Sequence, residues 1–325
     1  MTRRRSYLYA GAIAAALALL ALASTWGWWG SSRIEKDTAF VVPAGASLTS
    51  VAGKLEAEGL VRSADTFLLW AKILGSGDPI RAGEFLLPAG TSSSDILDTL
   101  QHGEVIRRFV TVPEGLPSVM VWERLMAEPL LTGSVPVPAE GSVLPESYDF
   151  ERGESRAAVL ARMQSGMEKT LRELWSKRKP GACPVDTPAE AITLASIVEK
   201  ETGKPAERRT VAGVYCNRLR IGMKLDADPT VIYPITKGKP LGRRIRRSEL
   251  NAITGYNTYR EAGLPKGPIT NPGKDSIAAV LNPAPTEALY FVADGTGGHV
   301  FASTLAEQEA NRAKWFAIRR ARGEM

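Results

Sequence analysis

The chain has 325 residues, 44% of them hydrophobic and 23% charged, a balance that excludes wholesale disorder and collagen-like repetition and fits about two domains with their own cores. Two cysteines, Cys183 and Cys216, and only two histidines exclude a disulfide framework and the usual four-ligand Cys/His zinc site. The net charge of +6 invites a nucleic-acid reading, but residues 1–36 carry +4, the chain from Arg312 onward carries +4, and the body between them is −2.

No charge occurs between Arg5 and Arg33. As a helix, the 27 residues Ser6–Ser32 would reach ~40 Å at ~1.5 Å per residue, more than the ~30 Å hydrocarbon core of a bilayer requires. Tyr7 and Tyr9 at one end and Trp26, Trp28 and Trp29 at the other match interfacial anchors, and Arg3, Arg4 and Arg5 place the N-terminus in the cytoplasm. Ala21-Leu22-Ala23 resembles a signal-peptidase site, so a cleaved signal peptide is the alternative. The charge-free run and its tryptophans continue past that site, which favours a retained span over residues 7–29 behind a cytoplasmic tail, 1–6. Both readings export the rest of the chain, where a Cys183–Cys216 disulfide is permitted without being required.

Three copies of a pattern follow: two apolar or Thr/Val residues, Pro-x-Gly, a polar stretch, and Leu ten residues after the Gly. They are Val41-Val42-Pro43-Ala44-Gly45 with Leu55, Leu86-Leu87-Pro88-Ala89-Gly90 with Leu100, and Thr111-Val112-Pro113-Glu114-Gly115 with Leu125. Each Pro-x-Gly predicts a turn that ends a short strand, and the apolar spacing after it predicts a helix laid back on that strand. The uneven spacing of the copies excludes a regular solenoid. A packing solution is the simpler reading of these units, and a small binding module is the other.

Pro136, Pro138 and Gly141 mark a break, after which residues 153–179 read as a long charged amphipathic helix ended by Pro180-Gly181. Thr187-Pro188-Ala189-Glu190 is a helix-start signature, with Thr as N-cap, Pro as the first helical residue and Glu as the reciprocal capping partner. The helix runs to Glu201 and is stopped by Gly203 and Pro205. At ~100° per residue Glu201 continues the stripe Leu194/Ile197/Val198, while Glu199 points roughly 160° away beside Ala195 and Ser196. A carboxyl at the end of an apolar stripe is a candidate for desolvation, which raises its proton affinity as a general acid needs. The alternative is a glutamate that reaches out to water at the helix end.

Residues 211–219, 225–233 and 255–259 read as loops or element ends rich in amides, hydroxyls and phenols, groups that line polysaccharide sites. Asp226 and Asp228 are a weak metal signal and read better as a rigid Asp-Pro turn. The basic run 242–247 has no accompanying nucleic-acid motif and reads as a solvated loop or a surface facing an anionic polymer. Residues 289–293 read as a buried strand. The following Gly-rich loop lacks the Lys-Ser/Thr of a phosphate-binding loop, and His299 reads as structural.

Several stretches, in order, closely resemble the YceG-like endolytic murein transglycosylases, the MltG family. They are Ala195-Ser196-Ile197-Val198-Glu199-Lys200-Glu201-Thr202, Asn217 through Met223, Asp228-Pro229-Thr230-Val231-Ile232-Tyr233, Tyr256-Asn257-Thr258-Tyr259, Gly263-Leu264-Pro265, and Tyr290 through Ala293 with Gly298-His299. The resemblance implies an α+β chain in three parts: the N-terminal transmembrane helix, a LysM-like small α/β module with a connecting strand–helix unit over 37–130, and a mixed α+β catalytic domain over 131–325. It maps the family's catalytic glutamate onto Glu201, in agreement with the phase argument. Three positions depart from the family pattern: Asp226 stands where Gln is usual, Leu144 through Tyr148 replaces a Pro-Asp-Thr-Tyr type motif, and Ala306-Glu307-Gln308 replaces a Glu-His pair.

The implied reaction is nonhydrolytic cleavage of the MurNAc–GlcNAc β-1,4 bond within peptidoglycan strands, needing neither cofactor nor metal. Glu201 is the implied catalytic residue, Tyr256 and Asn257 hold sugar or orient the acid, and Asp228, Asn217 and Thr230 are further implied substrate contacts. The implied partners are peptidoglycan glycan strands, the membrane, and cell-wall synthases with division or elongation proteins, with no nucleic acid. The implied location is the bacterial cytoplasmic membrane, catalytic domain outside. Competing readings are a muramidase-type hydrolase using Glu201 and an Asp, and a non-catalytic glycan-binding scaffold.

Overall fold

A computed structural model of the chain describes Gly11, residues 13–16, 25–26 and 28–30, and residues 33–324. Most of the run expected to span a membrane lies outside the described residues. Among the described residues no helix is long and apolar enough to cross a membrane. The fold is mixed α+β, as expected, with three two-stranded sheets among the described residues. It divides into two compact units, residues 1–108 with 151–153, and residues 109–150 with 154–325.

The first unit opens with β1 (Thr38–Val42), α1 (Leu48–Ala57), α2 (Ala64–Leu74), β2 (Gly83–Leu87) and α3 (Ser93–His102). β1 pairs antiparallel with β2 in the register Thr38↔Leu87 to Val42↔Gly83. The first two Pro-x-Gly turns follow β1 and β2, and Gly45 and Gly90 take φ values of 75° and 79° that a side chain would strain. Ser47, Ser63 and Ser92 cap the three helices by accepting from the N–H of Ser50, Thr66 and Asp95. Phe40, Leu55, Phe85, Leu87, Ile96 and Leu100 are fully buried between sheet and helices. Glu84 is also buried; burial raises its proton affinity, but Arg108 and Arg152 outweigh this and hold its carboxyl below the usual range.

β3 (Arg107–Thr111) leads into the second unit and pairs with β4 (Ser147–Glu151), and α4 (Ser118–Ala127) lies between them in sequence. The third Pro-x-Gly turn therefore belongs to the second unit. The physical reason is the core that α4 joins: Val112, Val121 and Leu125 pack with Phe150, Val159, Leu160 and Met163. α5 (Arg156–Ser176) is the expected long helix, though shorter at both ends. The buried Arg156 donates to the carbonyls of Leu125, Met126, Glu128 and Gly133, satisfying the end of α4.

α6 (Pro188–Glu201), a 3-10 turn (Pro205–Glu207), α7 (Arg208–Arg220), α8 (Asp228–Thr236), α9 (Arg247–Asn251) and α10 (Lys274–Leu281) follow. Residues 211–219, expected as a loop or element end, lie inside α7 because Val211, Val214, Tyr215 and Arg218 form one helical stripe facing the core. β5 (Tyr290–Ala293) and β6 (His299–Ala302) form a hairpin, and α11 (Leu305–Ala321) covers it. β5 is only partly buried, unlike the expected core strand, because it has a single β neighbour and α11 on one side.

Cys183 and Cys216 are joined, tying the loop before α6 to α7 across 33 residues of sequence. Cys216→Ser is expected to lower the unfolding free energy by about 3–4 kcal/mol, the chain-entropy value for a loop of that length. Denaturant unfolding under non-reducing conditions checks this.

Candidate active site

The capping box expected at the start of α6 is present: Thr187 accepts from the Glu190 N–H, and the Glu190 carboxylate accepts from the Asp186 and Thr187 N–H groups. From that fixed start, eight consecutive residues, Ala191 through Val198, are buried. α6 packs against α5, α7, α8 and α10, so it has no solvent face along this stretch. Ser196 within it donates to the Thr193 carbonyl and accepts the Ile269 N–H. Its last turn carries both glutamates.

Glu201 is partly exposed, with protein dense around its carboxyl. Burial raises its pKa most and the Asp228 charge raises it further, while Arg218 and the Tyr215 hydroxyl lower it; the result is about 7. Tyr215 is fully buried, and its own proton affinity is raised by burial and by Glu201. Arg218 donates to the carbonyls of Leu289, Lys224 and Leu225 and stands 3.9 Å from Asp226. These bonds hold the loop before α8, in which Asp226 takes the left-handed φ of 49° that Asp tolerates better than most residues. Asp228 and Pro229, expected in a turn, instead open α8, because Pro suits the first turn of a helix. Among the described residues no group of three or more His, Cys, Asp or Glu side chains could hold a metal ion.

Asp228 begins α8, is exposed, and accepts the Tyr259 hydroxyl at 2.7 Å. The loop 254–259 runs antiparallel along α8. Tyr259 meets Asp228, Thr258 meets Thr230 at 2.9 Å, and Tyr256 packs on Tyr233 with ring centroids 4.9 Å apart. Tyr233 is five residues after Asp228 in α8, about 7.5 Å along the axis and ~140° around it, so the Asp228–Tyr259 contact and the Tyr233–Tyr256 pair lie on different sides of the helix. Lys266 lies over the Tyr256 ring at 4.9 Å.

The other three expected sugar contacts are used internally. Asn257 is 1% exposed, donates to the carbonyls of Glu249, Leu250 and Ala252 at the end of α9, and accepts the Tyr259 N–H. Thr230 is fully buried and bonds Ala227 and Thr258. Asn217 donates to Thr286 and Ala288 and accepts from Arg220, pinning the strand that follows to α7. Their type fits sugar binding, but their hydrogen bonds belong to the scaffold. Glu199 does not point to solvent either: its side chain is 6% exposed, accepts the Gly273 N–H at 2.9 Å and stands 3.9 Å from Arg208. His299 is structural, with ring and backbone N–H both turned to the Glu207 carboxylate.

Sequence reasoning missed Tyr215, Arg218 and Tyr259. The i, i+3, i+4, i+7 spacing of Val211, Val214, Tyr215 and Arg218 was the available signal for the first two. Tyr259 stood in a quoted motif and gains its role only through the fold-borne contact with Asp228.

The sequence model of the YceG-like family matches residues 40–314. An endolytic murein transglycosylase of Streptococcus pneumoniae serotype 2 is 29% identical to the chain, the match covering 88% of this chain and 61% of that protein. The chain thus spans about three-fifths of that relative's length. An endolytic murein transglycosylase of Bacillus subtilis is 27% identical, with 87% of each protein covered. A crystal structure of a YceG-like protein from Listeria monocytogenes superposes with a TM-score of 0.54 at 25% identity, covering 85% of this chain and 98% of that one.

Tyr215→Phe removes a donor to the Glu201 carboxylate and is expected to raise its pKa above about 7, whereas Asp228→Asn removes a neighbouring negative charge and is expected to lower it. Carboxyl-resolved NMR titration of the two variants reads both directions.

Proposed function

The chain belongs to the YceG-like family, and on that premise we propose that it is an endolytic peptidoglycan lytic transglycosylase. It cleaves the MurNAc–GlcNAc β-1,4 bond within a strand and leaves a 1,6-anhydroMurNAc end. The observation that carries the reading is Glu201, a carboxyl whose pKa is raised by burial to about 7, beside Asp228 and the phenols of Tyr215 and Tyr259. Protonated, it donates to the leaving glycosidic oxygen as positive charge develops at C1. The carboxylate left behind accepts a hydrogen bond from Tyr215 and feels the charge of Arg218. It then takes the proton of the MurNAc C6 hydroxyl, which closes on C1. The nucleophile is part of the substrate, so one carboxylate suffices. Asp228 sustains the proton affinity of the acid, and the partly exposed ring of Tyr256 offers a face to a sugar.

The family reading extends to the rest of the chain. The N-terminal run is a retained single-pass anchor with its N-terminus inside, and the remainder is extracytoplasmic. The 37–130 region contains a LysM-like glycan-binding module and 131–325 the catalytic domain. The enzyme works on nascent strands beside cell-wall synthases and division or elongation proteins. A muramidase-type hydrolysis is the second reading, favoured by the Asp228 charge acting on Glu201; it requires a second carboxylate across the scissile bond.

Mass spectrometry of glycan digested by the purified protein separates the two: anhydro ends are expected, and reducing-end MurNAc that disappears in Asp228→Asn would establish the hydrolase. Glu201→Gln is expected to abolish either product. Its stability change has the opposite sign. The folded-state pKa of about 7 exceeds the ~4.3 of an unfolded Glu, so the stability this group lends at low pH is lost as pH rises towards 7. Glu201→Gln is therefore expected to stabilise the fold at pH 8 by ~1–3 kcal/mol relative to its effect at pH 4, read by denaturant unfolding at both values. Activity of the native chain is expected to fall as pH rises through about 7.

A further inference from the structure

The first unit exposes an apolar helix face that its own core does not use. Phe67 and Ala71 of α2 point inward, whereas Leu69 and Ile73, one turn apart on the outer side, are 54% and 59% exposed. Trp28, near the end of the charge-free N-terminal run, is buried in this unit's core with its ring 5.7 Å from that of Phe67. Its neighbours Trp26 and Trp29 are 78% and 60% exposed. The run from Ser6 to Gly27 still holds 22 uncharged residues, enough at ~1.5 Å each to cross a ~30 Å core. A span of that length ends where Trp28 enters the fold, and Trp28 rests on α2.

We propose that the outer face of α2, formed by Leu69 and Ile73, seats on the bilayer surface from which the chain emerges. Trp28 meets α2 from its inner side, at Phe67, and the exposed Trp26 and Trp29 mark the level of the interface at the end of the span. The inference rests on the anchored reading of the N-terminal run given above. The chemistry of the face suits a headgroup boundary rather than a protein partner. Lys72 is exposed and flanks the apolar pair on the Leu69 side, with a stem long enough to carry its ammonium to phosphate. Asp65, one turn before Leu69 on the same stripe, keeps the start of α2 in water. The helix therefore enters by its C-terminal half, with Ile73 deeper than Leu69. The contact fixes the orientation of the first unit on the membrane, which a single flexible tether would leave free.

The full chain offers no competing thiol for labelling, because its two cysteines are joined to each other. Leu69→Cys and Ile73→Cys, with Glu56→Cys on α1 as control, are labelled with an environment-sensitive fluorophore. Each is reconstituted in vesicles of phosphatidylethanolamine and phosphatidylglycerol. Blue-shifted emission and loss of fluorescence to lipid-borne quenchers are expected at 73, to a smaller extent at 69, and not at 56. Chains that float with the vesicles while positions 69 and 73 behave like 56 would overturn the seating and leave the anchor standing. Chains that fail to float would overturn both. An Ile73→Cys chain, left unlabelled, that forms an intermolecular disulfide on floating vesicles, with no quenching at 69, would assign the face to a second copy instead.

Discussion

The structure around the candidate site depends on one constraint: α6 is encased by its neighbours and ends on a carboxyl. Eight buried residues in a row fix the axial and rotational position of the helix, so Glu201 is delivered to one place. That place is unfavourable for a negative charge on two counts. Burial removes water, and the carbonyl end of the helix carries partial negative charge. A proton held to about pH 7 is the consequence. The capping box at the other end serves the same purpose, because a helix that frayed at Thr187 would lose the register of its last turn.

Arg218 is the compensating charge, and its bonding explains why it compensates only in part. Its guanidinium is shared among three backbone carbonyls, lies 5.5 Å from the centre of the Tyr290 ring and stands 3.9 Å from Asp226. An arginine so committed cannot swing to form a close pair with Glu201. It acts instead as a fixed positive field that eases the carboxylate once the proton has left. The same bonds hold the loop that places Asp228 at the start of α8, so the group lowering the acid's proton affinity also positions the group raising it.

Much of this was legible in the sequence, for identifiable reasons. Capping boxes, Pro-x-Gly turns and the phase of Glu201 are local, and local rules recover them: Leu55, Leu100 and Leu125, each ten residues after its Gly, are all fully buried. What the sequence leaves open is which polar side chains satisfy the backbone. Asn257 closes α9 and Asn217 pins the strand after Pro285, and nothing in an Asn within a loop or helix reveals which carbonyls it will find. Tyr215 was hidden for a related reason: its chemistry comes from α7 packing across α6, a contact made by tertiary structure alone. The third Pro-x-Gly unit matched its siblings in pattern but joined a different core, since pattern specifies the local fold and not the partner.

The two glutamates at the end of α6 make the last point. They are two residues apart, both side chains are drawn into the protein, and both sit at the same unfavourable helix end. Their surroundings divide the labour. Glu199 faces the Arg208 guanidinium and the Gly273 N–H, with Glu114 and Asp275 sharing the same arginine, so its charge is spent on joining α6 to α7 and to the turn before α10. Glu201 is given a phenol, a second carboxylate and an arginine committed elsewhere, which leaves it its proton. A pair of like groups given different partners is how one short segment can supply both a structural link and a reactive acid. The ~160° phase difference read from the sequence is the geometric basis of that division, because it sends the two side chains into different neighbourhoods of the same core.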